Sequence, residues 1–164
     1  MDIFVNNYLK ANIVRYLFLL FISLFLCSCT TLQAERATSY HTCTRVVDGD
    51  TIVVKKIGKV RLIGVDTPET KHPRKPVEYF GKEASAFTRK MVEGKKVRLE
   101  YDWQRKDRYG RVLAYVYLKD GTFLNAEIVK QGYGHAYTRY SFKYLEQFRK
   151  YEKEARENKR GLWK

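Results

Sequence analysis

The stretch that decides the fold is RLIGVDTPE at residues 61–69, with VDGDT at residues 47–51 before it. In both stretches, β-branched residues run into Gly, Asp or Pro, as they do where strands end in turns. Residues 52–54 and 60–65 are therefore predicted to be two antiparallel strands of a hairpin centred near Gly58.

This hairpin is predicted to bring two carboxylates together. With the turn at Gly58, the numbers of facing residues sum to about 116, so Asp50 is expected to face Asp66. Two facing carboxylates repel each other unless a cation lies between them. Strict alternation places Arg61 on the face opposite Asp66, so a bend near Gly64 is expected to bring Arg61 to the same site. The two stretches therefore predict a cation site beside an arginine.

The composition favours one basic globular domain. The chain has 164 residues, of which 45% are hydrophobic, and a formal net charge of +14. The excess of basic residues is spread from Lys55 to Lys164 and does not form a separate tail. Such a surface attracts polyanions, either nucleic acid or anionic lipid, although a charge that only keeps the protein soluble is the simpler alternative. The histidines, His41, His72 and His135, lack the spacing of zinc ligands.

Residues 1–28 are predicted to be a signal peptide. Lys10 and Arg15 precede an apolar run at residues 16–26. This run is shorter than the about 20 residues that a membrane-spanning helix needs, and small residues follow it. We therefore expect the protein to be exported.

The sequence LCSC at residues 26–29 resembles a bacterial lipobox. This resemblance implies that Cys29 is lipidated and anchors the mature protein to a membrane of the cell envelope, with residues 29–42 as a polar tether. A plain cleaved signal, which would give a secreted protein, and an uncleaved anchor are the alternatives. Cys43 would then be the remaining thiol, so no intramolecular disulfide is expected, and it is predicted to be a small strand residue.

The rest of the pattern adds two strands and three helices. Alternating apolar residues predict the strands, and apolar residues at helical spacing predict the helices. These elements are strands 97–101 and 111–118 and helices 81–92, 123–131 and 142–155. With a further strand-like stretch at residues 46–47, the chain has five predicted antiparallel strands. Together with the flanking helices they predict an α+β protein that is mainly β, a five-stranded Greek-key barrel of the OB-fold type with three helices.

Five stretches resemble the staphylococcal nuclease (thermonuclease) family in the family's own order. They are DGDT at residues 48–51, residues 61–70, residues 79–86, DRYGR at residues 107–111 and VKQG at residues 129–132. The resemblance identifies residues 43–164 as an SNase-like nuclease domain. It implies an OB-fold endonuclease that uses Ca²⁺ to hydrolyse phosphodiester bonds of DNA and RNA, leaving 3′-phosphates.

The resemblance also implies a calcium site. Asp50, Asp66 and the carbonyl of Thr67 match the calcium ligands, and Asp48 matches a carboxylate just outside them. Calcium is a hard cation that prefers such oxygen ligands, and manganese could occupy the same oxygens. Taken singly, Asp48 and Asp50 would be ordinary residues of an Asp-Gly turn.

Three further residues match the catalytic positions of the family. Glu69 matches the residue that orients or deprotonates the attacking water. Arg61 and Arg111 match two arginines whose planar guanidinium groups bind phosphate oxygens. Taken singly, Glu69 would be a solvated loop acid and the two arginines would be surface charges on strands.

Nucleotide-binding positions are matched less closely. Tyr109 and Tyr137 match residues beside the nucleotide, and Arg108 stands where the family has a lysine. Arg139 falls where a second stacking tyrosine is expected, although Tyr140 is adjacent, and the turn after residue 101 is shorter than in the family. Aromatic faces mixed with positive charge favour single-stranded or frayed nucleic acid.

Two other functions fit parts of this pattern. One is a non-catalytic OB-fold surface protein that binds nucleic acid, and the other is an adhesin whose basic patch binds lipid headgroups or glycans. The complete set of predicted catalytic and metal residues favours the enzyme. No protein partner is inferred, and a monomer is expected.

Overall fold

The computed structural model describes residues 39–71 and 76–164. The predicted signal peptide, Cys29, His72 and nearly all of the predicted tether lie outside these residues. The described strands are β1 (Tyr40–Asp48), β2 (Thr51–Val54), β3 (Gly58–Leu62), β4 (Val65–Asp66), β5 (Lys96–Glu100), β6 (Val112–Leu118) and β7 (His135–Ala136). The helices are α1 (Gly81–Val92), α2 (Leu124–Lys130) and α3 (Leu145–Glu157), followed by a 3₁₀ turn at Gly161–Trp163.

Five strands close into a barrel in the order β1-β2-β3-β6-β5, and β4 pairs separately with β7. The predicted α+β fold with an OB-type barrel and three helices is therefore confirmed. The expectation that every pair is antiparallel is wrong, because β3 and β6 run parallel. A closed ring with an odd number of strands needs at least one parallel pair.

The predicted register of the β2–β3 hairpin is also wrong. Thr51 faces Arg61, and Val54 faces Gly58. The hairpin turns around Lys56, which has a φ of 68°, and Gly58 closes the turn with a φ of 93°. Glycine is the residue that most readily takes positive φ in a turn, but here a lysine shares that conformation. Residues 50 and 66 consequently do not face each other across this hairpin.

The predicted bend at Gly64 is confirmed. Strand β3 ends at Leu62, β4 begins at Val65, and Gly64 between them has a φ of 75°. The carbonyl of Ile63 accepts a hydrogen bond from Asn125 (2.9 Å), and the carbonyl of Gly64 accepts one from the N–H of Tyr137 (3.0 Å). The bend therefore redirects the chain, and helix α2 and the segment around β7 hold it in place.

Alanine at position 64 is expected to destabilise the barrel more than alanine at position 94. Gly94 has nearly the same φ, 76°, with open space around it, so Gly94→Ala should cost only the backbone strain of about 1–2 kcal/mol. At Gly64, an added Cβ would lie 2.7 Å from the ring of Phe142 and 3.1 Å from Phe148. This overlap should add about 1–3 kcal/mol. Urea unfolding of the two variants measures the difference, and equal losses would contradict the packing argument.

The core lies inside the barrel and under the helices. Cys43 is fully buried in β1, as predicted for a small strand residue. The terminal helix begins at Leu145, three positions after the predicted start, yet Phe142 is still buried and contacts Phe148 edge to face at 5.4 Å. Within the described parts of the chain, no helix is long and apolar enough to cross a membrane.

Candidate active site

The turn between β1 and β2 places two aspartates at the edge of the barrel. Gly49 lies between them, and a Cβ there would come within 2.7 Å of the Thr67 side chain. The carbonyl of Gly49 accepts a hydrogen bond from the buried hydroxyl of Thr88 in α1 (2.6 Å). Glycine is therefore required by this close approach, and the turn that carries Asp48 and Asp50 is held between α1 and the segment after β4.

Asp50 is buried and its orientation is fixed by hydrogen bonds. Its Oδ2 accepts from the N–H of Thr67 (3.1 Å) and from the Thr67 hydroxyl (3.2 Å). Its Oδ1 accepts from the Thr51 hydroxyl (2.9 Å). The structure thus brings Asp50 and Thr67 together as predicted, and it shows Thr67 as a hydrogen-bond donor to the carboxylate.

Arg61 joins the two predicted metal-binding aspartates. Its Nη1 lies 3.1 Å from Asp50 Oδ2, and its Nη2 lies 3.0 Å from Asp66 Oδ1. The same guanidinium donates to the carbonyl of Val65. The Arg61 side chain is 14% exposed, so its position is well defined by packing and by these partners. The bend at Gly64 makes this arrangement possible, because it returns Asp66 to the side of the sheet on which Arg61 lies.

Asp48 and Glu69 form a second carboxylate pair beside the first. Asp48 accepts hydrogen bonds from the N–H (3.1 Å) and the hydroxyl (2.9 Å) of Thr70, and Glu69 accepts one from the N–H of Lys71 (2.8 Å). Burial raises the pKa of Asp48, and the interaction with Glu69 raises it further. The hydrogen bond with Asp48 lowers the pKa of Glu69. Of the two, Glu69 is therefore the group that stays ionised as the pH falls.

The pKa of Asp66 lies above its ordinary value. Although half of the side chain is exposed, partial burial of the carboxylate is the largest cause. The negative charge of Asp50 acts in the same direction, while the Arg61 guanidinium partly offsets both. The negative charges of Asp50 and Asp66 therefore repel each other, and a further positive charge near them would reduce this repulsion.

Arg111 enters the site from the start of β6. Its Nε lies 2.6 Å from Asp107 Oδ2, and its backbone N–H donates to Asp107 Oδ1 (2.9 Å). Burial opposes ionisation of Asp107, but these hydrogen bonds outweigh it and lower its pKa. The parallel pairing of Arg61 with Leu113 brings the two arginines to the same end of the barrel.

These side chains line a cleft of about 520 Å³, the acidic cleft. Seven residues predicted from sequence line it, namely Asp48, Asp50, Arg61, Asp66, Thr67, Glu69 and Arg111. Lys59, Lys71 and Glu78, which were not predicted, also line it.

A second cleft of about 430 Å³, the aromatic cleft, shares Arg61, Asp66 and Arg111 with the first. The three predicted nucleotide-binding residues, Arg108, Tyr109 and Tyr137, line the aromatic cleft. The guanidinium of Arg111, which lines both clefts, lies 5.5 Å from the centre of the Tyr109 ring in the aromatic cleft. The two clefts are therefore adjacent and meet at Arg111. The structure therefore brings together every predicted site residue that it describes.

The donor set of the acidic cleft suits a hard cation. The described residues that line it include carboxylates and threonines but no histidine or cysteine. Among residues 39–71 and 76–164, no group of three or more His, Cys, Asp or Glu side chains is arranged to hold a metal ion. The donors that line this cleft are oxygens, which fit calcium better than zinc.

Three residues that support the site were not predicted from the sequence. Thr70 binds Asp48, Thr88 binds the Gly49 carbonyl, and Asn125 binds the carbonyl of Ile63. Thr88 and Asn125 are fully buried polar residues on helices. A polar residue at a buried helical position usually has a specific partner, and this signal was present in the sequence.

The comparisons with known proteins decide the family. The family model described as "Staphylococcal nuclease homologue" matches residues 59–164 of this chain. The chain belongs to the staphylococcal nuclease family. A thermonuclease from Staphylococcus hyicus is 50% identical over 123 residues, which cover 73% of this chain and 72% of that protein. A thermonuclease from Staphylococcus intermedius is 47% identical over 123 residues, covering 73% of each chain.

A more distant relative has a different length. Endonuclease YncB from Bacillus subtilis is 42% identical over 128 residues, which cover 74% of this chain and 60% of that protein. The family match begins at Lys59, so Asp48 and Asp50 precede it, but both aspartates lie in the same cleft as the matched residues.

Proposed function

We propose that this chain is a calcium-dependent endonuclease that hydrolyses phosphodiester bonds of DNA and RNA to 3′-phosphate products. One observation carries the proposal. The Arg61 guanidinium joins Asp50 and Asp66 at 3.1 and 3.0 Å, in a cleft that Glu69 and Arg111 also line. Membership of the nuclease family supports the same reaction.

Asp50 and Asp66 would hold the calcium ion, with the Thr67 carbonyl as a further ligand. When bound, calcium would neutralise charge on the phosphate and lower the pKa of a water molecule. The repulsion between the two carboxylates supports this assignment. Partial burial and the charge of Asp50 raise the pKa of Asp66, which means that the positive charge of Arg61 does not fully offset them. A bound cation would reverse that effect.

Glu69 and the two arginines would act on the substrate directly. Glu69 lines the acidic cleft beside Asp50 and Asp66, so its carboxylate can orient the attacking water and accept its proton. Water oxygen attacks phosphorus as its proton passes to Glu69, and the bond from phosphorus to the 5′ oxygen breaks. The 5′ oxygen takes up a proton from solvent, which leaves a 3′-phosphate and a 5′-hydroxyl. Arg61 and Arg111 would each bind phosphate oxygens and stabilise the charge that develops there.

The aromatic cleft would bind the nucleoside of the substrate. Tyr109 offers a ring face that is largely exposed, and Arg108 and Arg111 lie over it at 4.8 and 5.5 Å. A base can reach such a face only when it is unstacked from its neighbours, so single-stranded or frayed regions should be preferred.

Plasmid nicking in calcium and in EGTA tests the proposal. We expect cutting in calcium, none in EGTA, and loss of cutting in Asp50→Ala and Glu69→Gln. Asp120→Asn is the matched control, since Asp120 is an exposed turn residue that accepts from the N–H of Thr122 outside both clefts. Salt-sensitive DNA binding without cutting would instead support the non-catalytic surface protein.

We also propose that the protein is exported to the cell envelope and lipidated at Cys29, with residues 29–42 as a tether and residues 43–164 as the nuclease domain. The lipobox-like sequence at residues 26–29 supports this proposal. Palmitate labelling that is present in the wild type and absent in Cys29→Ala would agree with it. Labelling that survives this substitution would refute it.

A further inference from the structure

Exposed aromatic side chains concentrate around the aromatic cleft. Six large hydrophobic side chains are exposed in the described parts of the chain, and three of them line this cleft. They are Trp103 (73% exposed), Tyr109 (68%) and Tyr140 (60%). Tyr109 is already explained by the family resemblance. Trp103, the largest of the three, is not among the predicted nucleotide-binding residues.

Hydrogen bonds on two sides hold Trp103 in place. Its backbone N–H donates to Asp102 Oδ1 (2.8 Å), and its indole Nε1–H donates to the carbonyl of Ser141 (3.3 Å). Asp102 is itself anchored, because its Oδ2 accepts from the N–H of Lys143 (2.9 Å) and from the hydroxyl of Tyr115. The ring of Trp103 is therefore oriented, although most of its surface faces solvent.

The anchor of this turn is an ionised carboxylate. Burial opposes ionisation of Asp102, but the hydrogen bonds from Tyr115 and from the Lys143 N–H outweigh it and lower its pKa. Tyr115 is fully buried in the barrel. The turn that carries Trp103 and the segment around Ser141 are thus tied to the core at one point, so the wall of the cleft is preorganised.

The charges around Trp103 suit a polyanion. Arg108 lies over Tyr109 at 4.8 Å, and Arg139 lies over Tyr140 at 5.8 Å. Both arginines line the cleft, and neither forms an ion pair within the part of the chain that the structure describes. An array of exposed rings with adjacent cations is typical of surfaces that bind single-stranded nucleic acid.

We propose that Trp103 is the stacking platform for a second base, next to the nucleotide that Arg108, Tyr109 and Tyr137 bind. This inference rests on the proposed function and specifies which form of nucleic acid the enzyme prefers. Productive binding engages at least two unstacked nucleotides, so the enzyme favours single-stranded segments over mononucleotides and intact duplexes. Every base has a π-face, so this contact adds affinity without sequence specificity.

The test compares binding of thymidine monophosphate and of a thymidine trinucleotide by calorimetry in EGTA, which prevents cutting. Trp103→Ala should weaken trinucleotide binding on the order of tenfold and leave mononucleotide binding unchanged. Trp103→Phe keeps a ring and should retain most of the affinity. Tyr79→Ala is the matched control, because Tyr79 is equally exposed, at 74%, and lines neither cleft.

Tryptophan fluorescence gives a second readout. The chain has two tryptophans, and only Trp103 is largely exposed, while Trp163 contacts Arg156 and His135 near the C-terminus. The trinucleotide should quench the emission of the wild type, and this quenching should disappear in Trp103→Ala. Steady-state cleavage of a single-stranded oligonucleotide should show a higher KM with little change in kcat, since the lost contact holds substrate and transition state alike.

The outcomes separate this inference from the proposed function. Equal trinucleotide affinity in wild type and Trp103→Ala would overturn the second platform, even if both cut DNA. Equal weakening for both ligands would also overturn it, because Trp103 would then belong to the first nucleotide site. Wild-type protein that binds the trinucleotide through Trp103 but never cuts would uphold the platform and refute the nuclease. Self-association that depends on Trp103, without any effect on the nucleotides, would show a contact between copies and overturn the inference.

Discussion

Arg61→Lys is expected to lower the rate of DNA cleavage by about 10²–10³-fold while the barrel remains folded. Lysine keeps the positive charge but is a single point donor, whereas the planar guanidinium binds two partners at once. In this structure Arg61 reaches Asp50, Asp66 and the Val65 carbonyl together. An ammonium group cannot make these contacts and also present two parallel N–H groups to a phosphate.

The loss should appear in kcat rather than only in KM. A donor that acts on charge developing in the transition state lowers kcat and kcat/KM by similar factors when it is removed. Single-turnover cleavage of a labelled oligonucleotide in saturating calcium measures this step. Thermal unfolding of the same sample shows whether the variant is folded.

Arg98→Lys is the matched control for this experiment. Arg98 also lies on a barrel strand, pairs with Glu100 at 3.5 Å and lies over the Tyr117 ring at 4.2 Å. It lines neither cleft, so its replacement should leave cleavage unchanged. Near-wild-type turnover in Arg61→Lys would refute the assigned role of Arg61, and an equal loss in Arg98→Lys would show that the effect comes from the fold.

The sequence was sufficient to name residues that line the two clefts but not the geometry that joins them. Asp50, Asp66 and Arg61 were expected at one site because of a hairpin register that proved wrong. They meet for another reason, which is that Arg61 lies near the end of β3 and the bend at Gly64 brings Asp66 back to it. Periodicity detects strands well, but it does not determine which residue of a turn takes positive φ, and here Lys56 does so as well as Gly58.

Contacts between distant segments were the other part that sequence could not supply. Asn125 in α2 fixes the bend through the Ile63 carbonyl, 62 positions earlier in the chain. Trp103 and Ser141 form one wall of the aromatic cleft although 38 positions separate them. Local patterns contain no information about such pairs. The aromatic cleft and its exposed tryptophan consequently became visible only in the folded chain.

We expect calcium to stabilise the folded wild type and Asp66→Asn to abolish this stabilisation. A ligand that binds only the folded state stabilises it by about 2.7 kcal/mol at a concentration of 100 times Kd. For a domain of this size, that corresponds to a rise in Tm of roughly 10 °C. Asparagine at position 66 retains an oxygen that can accept from Arg61, but it removes one of the two carboxylates that would hold the cation.

Without calcium, the same variant should be as stable as the wild type or more stable. The Asp66 side chain is 51% exposed, yet partial burial and the charge of Asp50 raise its pKa, so its ionised form is slightly disfavoured in the folded state. A folded-state pKa above the unfolded value means that stability is lost as the pH rises through it, and the neutral amide avoids this loss. The substitution therefore separates metal binding from folding.

Thermal unfolding with EGTA and with saturating calcium measures both effects, and it needs no catalytic turnover. Asp120→Asn removes the same charge from an exposed turn and should keep the full calcium-dependent rise in Tm. A calcium-dependent rise that persists in Asp66→Asn would place the metal elsewhere and contradict the proposed ligand pair. Asp66→Asn could instead have a lower Tm than the wild type in EGTA. This result would show that the Arg61–Asp66 ion pair stabilises the fold by more than the repulsion between Asp50 and Asp66 destabilises it.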